Sequence, residues 1–215
     1  MLGSAIAGAR WTEIVSREGA DADDATASLQ YLDRAGGAYV ASGLLLLVAT
    51  GALVVAALAV RALLGPGLWV DAVTVVAVLG AGGLGLAGVV HVSSPGPLAY
   101  IASLDPAWGD AGYIAGQTIG NQGAYAAGLL GLAVWQLGVA VLAWRRRVLP
   151  RWLAVFALPA AIYVVGLVMV LTEVPEPFFL ANLVSLLVGL PLWCAVTGVA
   201  LLIRMRRQPV PRTSS

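Results

Sequence analysis

The chain has 215 residues, of which 60% are hydrophobic and only 11% are charged, and its formal net charge is +1. Soluble domains carry about 25% charged residues, so this composition excludes a water-soluble globular protein and indicates one compact bundle in lipid. All basic residues are arginine, which excludes enzymes that depend on a Schiff-base lysine. With one cysteine and one histidine, an internal disulfide and bis-histidine haem ligation are also excluded, and we expect neither a metal nor a cofactor.

The amino-terminal segment, residues 1–35, is polar and acidic, because three arginines there face six aspartates and glutamates. It lacks the basic start and the long apolar core of a signal peptide, so we expect it not to be one. At the other end, residues 208–215 contain two prolines and are predicted to be a disordered tail.

Residues 36–207 contain five apolar stretches, each with at least the roughly 20 residues that cross a hydrocarbon core of about 30 Å. They predict an all-α integral membrane bundle of five transmembrane helices, at about 38–64, 69–91, 119–144, 152–171 and 178–203. The longest connection, 93–110, contains prolines and aspartates. We expect it to lie outside the hydrocarbon region, because unpaired backbone groups are too costly there.

The arginines near the ends of the spans predict the orientation of the chain. They follow the third and the fifth span, at Arg145, Arg146, Arg147, Arg151, Arg204, Arg206 and Arg207, whereas the connections after the second and fourth spans contain none. Because cytoplasmic connections are enriched in basic residues, we expect a multi-pass protein of the plasma membrane with its N-terminus outside and its C-terminus in the cytoplasm. The basic clusters are too short to predict binding to nucleic acid, so the expected partner is the lipid bilayer.

Small residues recur every four positions on the helix that leads into the third span. They are Gly112, Gly116, Gly120, Ala124 and Gly128. On a helix this spacing forms a ridge of small side chains that another backbone can approach closely. The small-residue ridge predicts helix packing, either within the bundle or with a second copy of the chain or another membrane protein.

A second row on the same helix is polar and also follows helical spacing: Gln117, Asn121 and Tyr125, with Gln122 beside them. In the predicted orientation this row lies toward the outer face. Other elements bring further hydrogen-bonding groups to the same face: His91, Asp105, Asp110, Glu173 and Asn182. Each of them has an ordinary explanation as a cap, a turn residue or a contact between helices. Their convergence nevertheless predicts a ligand-binding pocket, with His91 and Glu173 as the candidates for proton transfer.

The connection between the third and fourth spans and the end of the last span each have a distinctive sequence pattern. A span ends in basic residues, and Leu149-Pro150-Arg151-Trp152-Leu153 opens the next one; the last span has Leu192-Trp193 and then Gly198-Val199 before its arginines. In these features, over roughly residues 123–207, the chain resembles a bacterial multi-pass membrane family known as domain of unknown function 4386. The resemblance implies a helical membrane fold, but no functional residues, since that family has no agreed activity.

Three hypotheses for the function remain. The favoured one is a non-catalytic membrane protein that binds a small molecule, a lipid or a partner helix in the outer pocket, because no metal, phosphate-loop or nucleophile motif is present. The second is an intramembrane enzyme that uses acid–base chemistry on a hydrophobic, isoprenoid-like substrate. The third is a structural or assembly subunit that works through the small-residue ridge. An ion-coupled transporter is disfavoured, because spans two to five have no ionisable residue at their centres.

Overall fold

The computed structural model describes residues 25–147, 157–158, 160–164, 188–189 and 191–199, except for the side chains of 25–35, 121 and 122. All regular secondary structure in this part of the chain is helical, which confirms the predicted all-α class there. In chain order its continuous stretch comprises α1 (Ala25–Leu64), α2 (Leu68–Ser93), α3 (Pro95–Leu104), α4 (Pro106–Gln117), a π-helical segment (Thr118–Tyr125) and α5 (Ala126–Arg146).

The first two helices form an antiparallel hairpin that turns at Gly65-Pro66-Gly67. Gly65 has a φ of 75°, a conformation that glycine adopts without steric cost, and its amide donates to the Arg61 carbonyl at 3.1 Å. Pro66 cannot donate a backbone hydrogen bond and so ends the helix. The first helix begins at Ala25 and ends at Leu64. Its membrane-length apolar part, Gly36–Leu64, agrees with the predicted span 38–64.

Glycines and one threonine hold α1 and α2 close together. A Cβ added at Gly43 would lie 2.7 Å from the Gly88 carbonyl oxygen, closer than real Cβ atoms come to backbone. Farther along the hairpin, the Thr50 hydroxyl lies 2.9 Å from the Leu46 carbonyl of its own helix and 3.2 Å from the Ala81 carbonyl of α2, so its proton is shared between them. The α1–α2 interface is therefore a close backbone contact, because small side chains leave no space between the helices.

A second close contact joins α2 to the beginning of α5. A Cβ at Gly128 would lie 2.8 Å from the Gly80 carbonyl oxygen and 2.8 Å from the Leu84 nitrogen. A Cβ at Gly83 would lie 2.7 Å from the Ala124 carbonyl oxygen. The two backbones touch along this face, so α2 packs on both sides against helices that carry glycine at the contact.

The predicted connection between the second and third spans contains two short helices, α3 and α4. Prolines at 95 and 106 stand at the first position of each helix. In that position proline is favourable, because its missing N–H has no partner in the first turn and its φ already suits a helix. Each of these prolines begins a helix inside the predicted connection 93–110.

Within the residues that the structure describes, three stretches are long and apolar enough to cross a membrane: Gly36–Leu64, Leu68–Ser93 and Pro106–Arg146. The third runs through α4, the π-helical segment and α5 without a break. The predicted fourth and fifth spans lie mostly outside the described residues, as do four of the arginines that predict orientation: Arg151, Arg204, Arg206 and Arg207.

The chain divides into two compact units, Met1–Trp135 and Gln136–Ser215. The first contains the α1–α2 hairpin and its packing with α3, α4 and the glycines of α5. In the second, an apolar groove of about 300 Å³ is lined by residues that include Trp144, Arg145 and Leu158, and the side chains of Gln136 and Trp193 are buried.

Candidate functional site

Three helices bring polar side chains together at one end of the α1–α2 hairpin. The group comprises Tyr39 and Ser42 of α1, His91 near the end of α2, Ser94 between α2 and α3, and Gln117 at the end of α4. We call it the Tyr39 cluster. Two of its members, His91 and Gln117, are among the residues that the sequence predicts to converge.

The spacing of buried residues on α1 explains why Tyr39 and Ser42 point inward. Tyr39, Ser42, Leu46 and Leu53 are all buried, at positions three, four and seven residues apart. This is the stripe that one face of an α-helix presents to its neighbour. Both polar residues therefore occupy the apolar packing face of α1, where a polar side chain needs a hydrogen-bond partner.

The histidine ring is held by α1 through two contacts. Ser42 Oγ lies 3.1 Å from His91 Nδ1, and the His91 and Tyr39 rings pack with centroids 4.3 Å apart. Ser42 Oγ also donates to the Tyr39 carbonyl oxygen at 2.7 Å. A hydroxyl has only one proton, so when Ser42 donates it to Tyr39 the bond to His91 requires the tautomer with a proton on Nδ1. In a neutral imidazole Nε2 then carries the lone pair that accepts a proton or a hydrogen bond.

The Tyr39 hydroxyl connects α1 to the other two elements. It accepts a hydrogen bond from Gln117 Nε2 at 3.3 Å, and Ser94 is a further partner. Ser94 Oγ also donates to the Val90 carbonyl oxygen of α2. Tyr39 and Ser42 are buried whereas His91, Ser94 and Gln117 are partly exposed. The cluster thus has a buried base and an accessible rim of hydroxyl, imidazole and amide groups.

Gly43 makes the short distance between Ser42 and His91 sterically feasible. A Cβ at this position would lie 2.8 Å from His91 Cβ and 2.8 Å from Val92 Cγ2. Any side chain here would push the end of α2 away from α1. The geometry of the cluster therefore depends on a glycine that makes none of its hydrogen bonds.

The two predicted aspartates have different positions. Asp105 is exposed and caps α4, with its carboxylate accepting from the Ala107 amide at 3.0 Å. Asp110 is partly buried and lies on the same face of α4 as Tyr113 and Gln117, three and seven residues farther on. Asp110 is thus the aspartate on the helix face that carries Gln117, and Asp105 has a structural role that accounts for it.

In the described part of the chain, no contact joins the remaining predicted site residues to the Tyr39 cluster. Tyr125 is partly buried at the end of the π-helical segment. The side chains of Asn121 and Gln122, and the whole of Glu173 and Asn182, lie outside the described residues. Among the residues that are described, no three His, Cys, Asp or Glu side chains form a group that could hold a metal ion.

The small-residue ridge packs inside the chain at four of its five positions. A Cβ at Gly112 or Gly120 would meet Leu98 or Val90 at 3.0 Å, and Ala124 and Gly128 contact α2. Gly116 has nothing within 4 Å of such an atom. The ridge therefore serves packing between helices of one chain, with Gly116 as the position that faces open space.

Sequence analysis missed Tyr39, Ser42 and Ser94. Tyr39 and Ser42 are three residues apart in the first span, so a polar pair on one helix face was visible there. Ser94 lies in the predicted connection 93–110, where it was given no functional role. The sequence does not indicate that α1 packs against the end of α2, and it is this packing that brings the side chains together.

In comparisons with known proteins, no family model, no curated protein and no solved structure matched this chain.

Proposed function

We propose that this chain is a multi-pass protein of the plasma membrane that binds a small amphipathic molecule at the Tyr39 cluster, on the outer face of the bilayer. The proposal includes five transmembrane helices, an outer N-terminus and a cytoplasmic C-terminus. Three helices long and apolar enough to cross a membrane support insertion. The arginine distribution supports the orientation.

One observation carries the proposed binding role: hydrogen-bonding groups from α1, α2 and α4 meet at Tyr39, within a surface that is otherwise apolar. Hydroxyl, imidazole and amide groups bind the hydroxyl or carbonyl oxygens of a ligand by hydrogen bonds. Exposed leucines and valines on the same helices suit the apolar part of such a molecule. An amphipathic ligand with an uncharged polar head therefore fits better than a partner helix.

The contact between Ser42 and His91 Nδ1 favours a second candidate, an intramembrane acid–base enzyme. With Nδ1 donating to Ser42, Nε2 could take a proton from a hydrophobic substrate. The other proposed proton carrier, Glu173, lies outside the described residues. Turnover that continues after both His91→Ala and Glu173→Ala would exclude this mechanism.

Replacing Tyr39 by phenylalanine tests the binding role. The change keeps the ring that packs on His91 and removes only the hydroxyl that joins Gln117 and Ser94. We expect the occupancy of any small molecule that co-purifies with the full-length protein to fall about fivefold. Fivefold corresponds to about 1 kcal/mol, the usual net contribution of one hydrogen bond. Mass spectrometry of extracts from the purified wild-type and variant proteins measures this ratio.

The control is Ser103→Ala, which also removes one hydroxyl. Ser103 is exposed on α3, donates to the Tyr100 carbonyl and lies outside the Tyr39 cluster. Its co-purifying molecules should match those of the wild type. Equal occupancy in the wild type, Y39F and S103A would contradict the proposal.

Labelling of single cysteines tests the proposed orientation. In a Cys194→Ser background, we expect Ser103→Cys, on exposed α3, to react with a membrane-impermeant maleimide on intact cells. Leu68→Cys, next to the α1–α2 turn and 81% exposed, should react only after the membrane is opened. The opposite pattern would show that the chain is inverted and that the Tyr39 cluster faces the cytoplasm.

A further inference from the structure

An ion pair joins the two helices of the α1–α2 hairpin next to its turn. Arg61 Nε lies 2.7 Å from Asp71 Oδ1, and the two side chains are 50% and 47% exposed. From Tyr39 to Arg61 the helix rises about 33 Å, which places the pair at the far end of the hairpin from the Tyr39 cluster. Trp69, near the same turn and 74% exposed, is a residue type that favours the headgroup level of a bilayer.

A groove of about 460 Å³ runs from this ion pair along the outside of the hairpin. Apart from the pair and Thr74 its lining is aliphatic: Leu58, Val75, Val78 and Leu79. Leu79 lies eight residues beyond Asp71, or about 12 Å along the helix. The groove is thus charged at one end and apolar along the rest, and the apolar part faces outward.

The ion pair has hydrogen-bonding capacity that its own contact does not use. The bond joins Nε of Arg61 to one oxygen of Asp71, so the two terminal guanidinium nitrogens and the second carboxylate oxygen take no part in it. A guanidinium binds phosphate oxygens through N–H donors, and a carboxylate oxygen accepts from an ammonium group. A ligand with both a phosphate and a primary ammonium group would match both residues and leave the site electrically neutral.

We propose that this groove binds a phospholipid of the phosphatidylethanolamine class. The lipid phosphate accepts from the terminal nitrogens of Arg61, the ammonium group donates to Asp71, and one acyl chain lies along Val75 and Leu79. Phosphatidylcholine has the same net charge but no N–H on its quaternary nitrogen, and phosphatidylglycerol has no positive group. The proposal rests on the membrane insertion proposed above and is independent of the Tyr39 cluster.

A series of lipids tests the site in the wild-type protein, without any substitution. Native mass spectrometry of the full-length chain in detergent measures the affinity for phosphatidylethanolamine, its N-methyl and N,N-dimethyl derivatives, and phosphatidylcholine. Net charge is constant along this series while the N–H donors are removed one by one. We expect about tenfold weaker binding of phosphatidylcholine, as one lost charge-assisted hydrogen bond would give, with the derivatives between. Equal affinity along the series, or tighter binding of phosphatidylglycerol than of phosphatidylethanolamine, would overturn the proposal.

Variants then assign the preference to the two residues. Asp71→Asn should bind phosphatidylethanolamine and phosphatidylcholine equally, because its amide is no longer an anionic acceptor, whereas Asp71→Glu should retain the preference. Arg61→Gln should weaken binding of both lipids. Arg145→Gln, which also removes one exposed arginine, should leave the preference at its wild-type value. A preference that persists in D71N would overturn the proposal.

Failure of this inference is separable from failure of membrane insertion. Extraction of cell membranes with alkaline carbonate shows whether the chain is integral to the bilayer. A chain that resists extraction but binds all four lipids alike would remain a membrane protein without this lipid site. Extraction of the chain by carbonate would contradict both the proposed membrane insertion and the proposed lipid site.

Discussion

Replacing Gly128 by alanine is expected to destabilise the protein by about 1–3 kcal/mol, the usual range for overpacking a tight interface. The added Cβ would lie 2.8 Å from the Gly80 carbonyl oxygen and 2.8 Å from the Leu84 nitrogen. Both neighbours are backbone atoms, so no side-chain rotation can relieve the contact and the helices must separate. Unfolding of the purified protein in mixed detergent micelles measures the change in free energy.

Gly116→Ala is the matched control, because Gly116 belongs to the same small-residue ridge but has nothing within 4 Å of an added Cβ. Alanine there should leave the free energy of unfolding unchanged or raise it slightly, since alanine is the better helix former. A large loss of stability in G116A would mean that this face packs against a second copy or another protein. In that case the ridge would be an intermolecular contact at Gly116.

Replacing Gly43 by alanine should both destabilise the hairpin and impair the Tyr39 cluster. The added Cβ would lie 2.7 Å from the Gly88 carbonyl oxygen and 2.8 Å from His91 Cβ, so α2 must move away from α1 at this point. We expect a loss of about 1–3 kcal/mol in unfolding free energy. Because Ser42 is the adjacent residue, its contact with His91 should be lost and ligand occupancy should fall in the same variant.

Gly51→Ala, on the same helix, separates this effect from a general intolerance of alanine. Gly51 has nothing within 4 Å of an added Cβ, and the substitution should keep both the stability and the ligand of the wild type. If G43A and G51A unfold at the same denaturant concentration, the close approach of α1 and α2 is not what holds the cluster together.

The first two helices were largely predictable from the sequence because their ends depend on local chemistry. The turn at Gly65-Pro66-Gly67 needs a positive φ and a residue that cannot continue a helix, and both requirements are visible in the residue types. The helix Pro95–Leu104 and the start of the next helix at Pro106 were not predicted. Asp105-Pro106 combines an N-cap with a proline at the first helical position, which is a signal for a helix start as much as for a turn.

The candidate site was only partly predictable, for a reason that concerns tertiary packing. That His91 and Gln117 belong to one end of the bundle followed from counting membrane crossings. That Tyr39 lies between them depends on which face α1 turns toward α2, and the Gly43–Gly88 contact decides this. Glycine spacing indicates that helices approach closely, but it does not identify which two glycines meet.

The π-helical segment Thr118–Tyr125 affects the angular relationship between the two ends of the helix that contains it. A π turn takes up roughly one residue more than an α turn, and one residue corresponds to about 100° of rotation in an α-helix. The helix therefore directs Gln117 toward α1 and Gly128 toward α2, and the stretch between these two residues does not have to be a straight α-helix. The length of the segment therefore sets the angle between the half of the helix that carries Gln117 and the half that packs against α2. A chain shortened by one residue there would have to lose one of these two alignments.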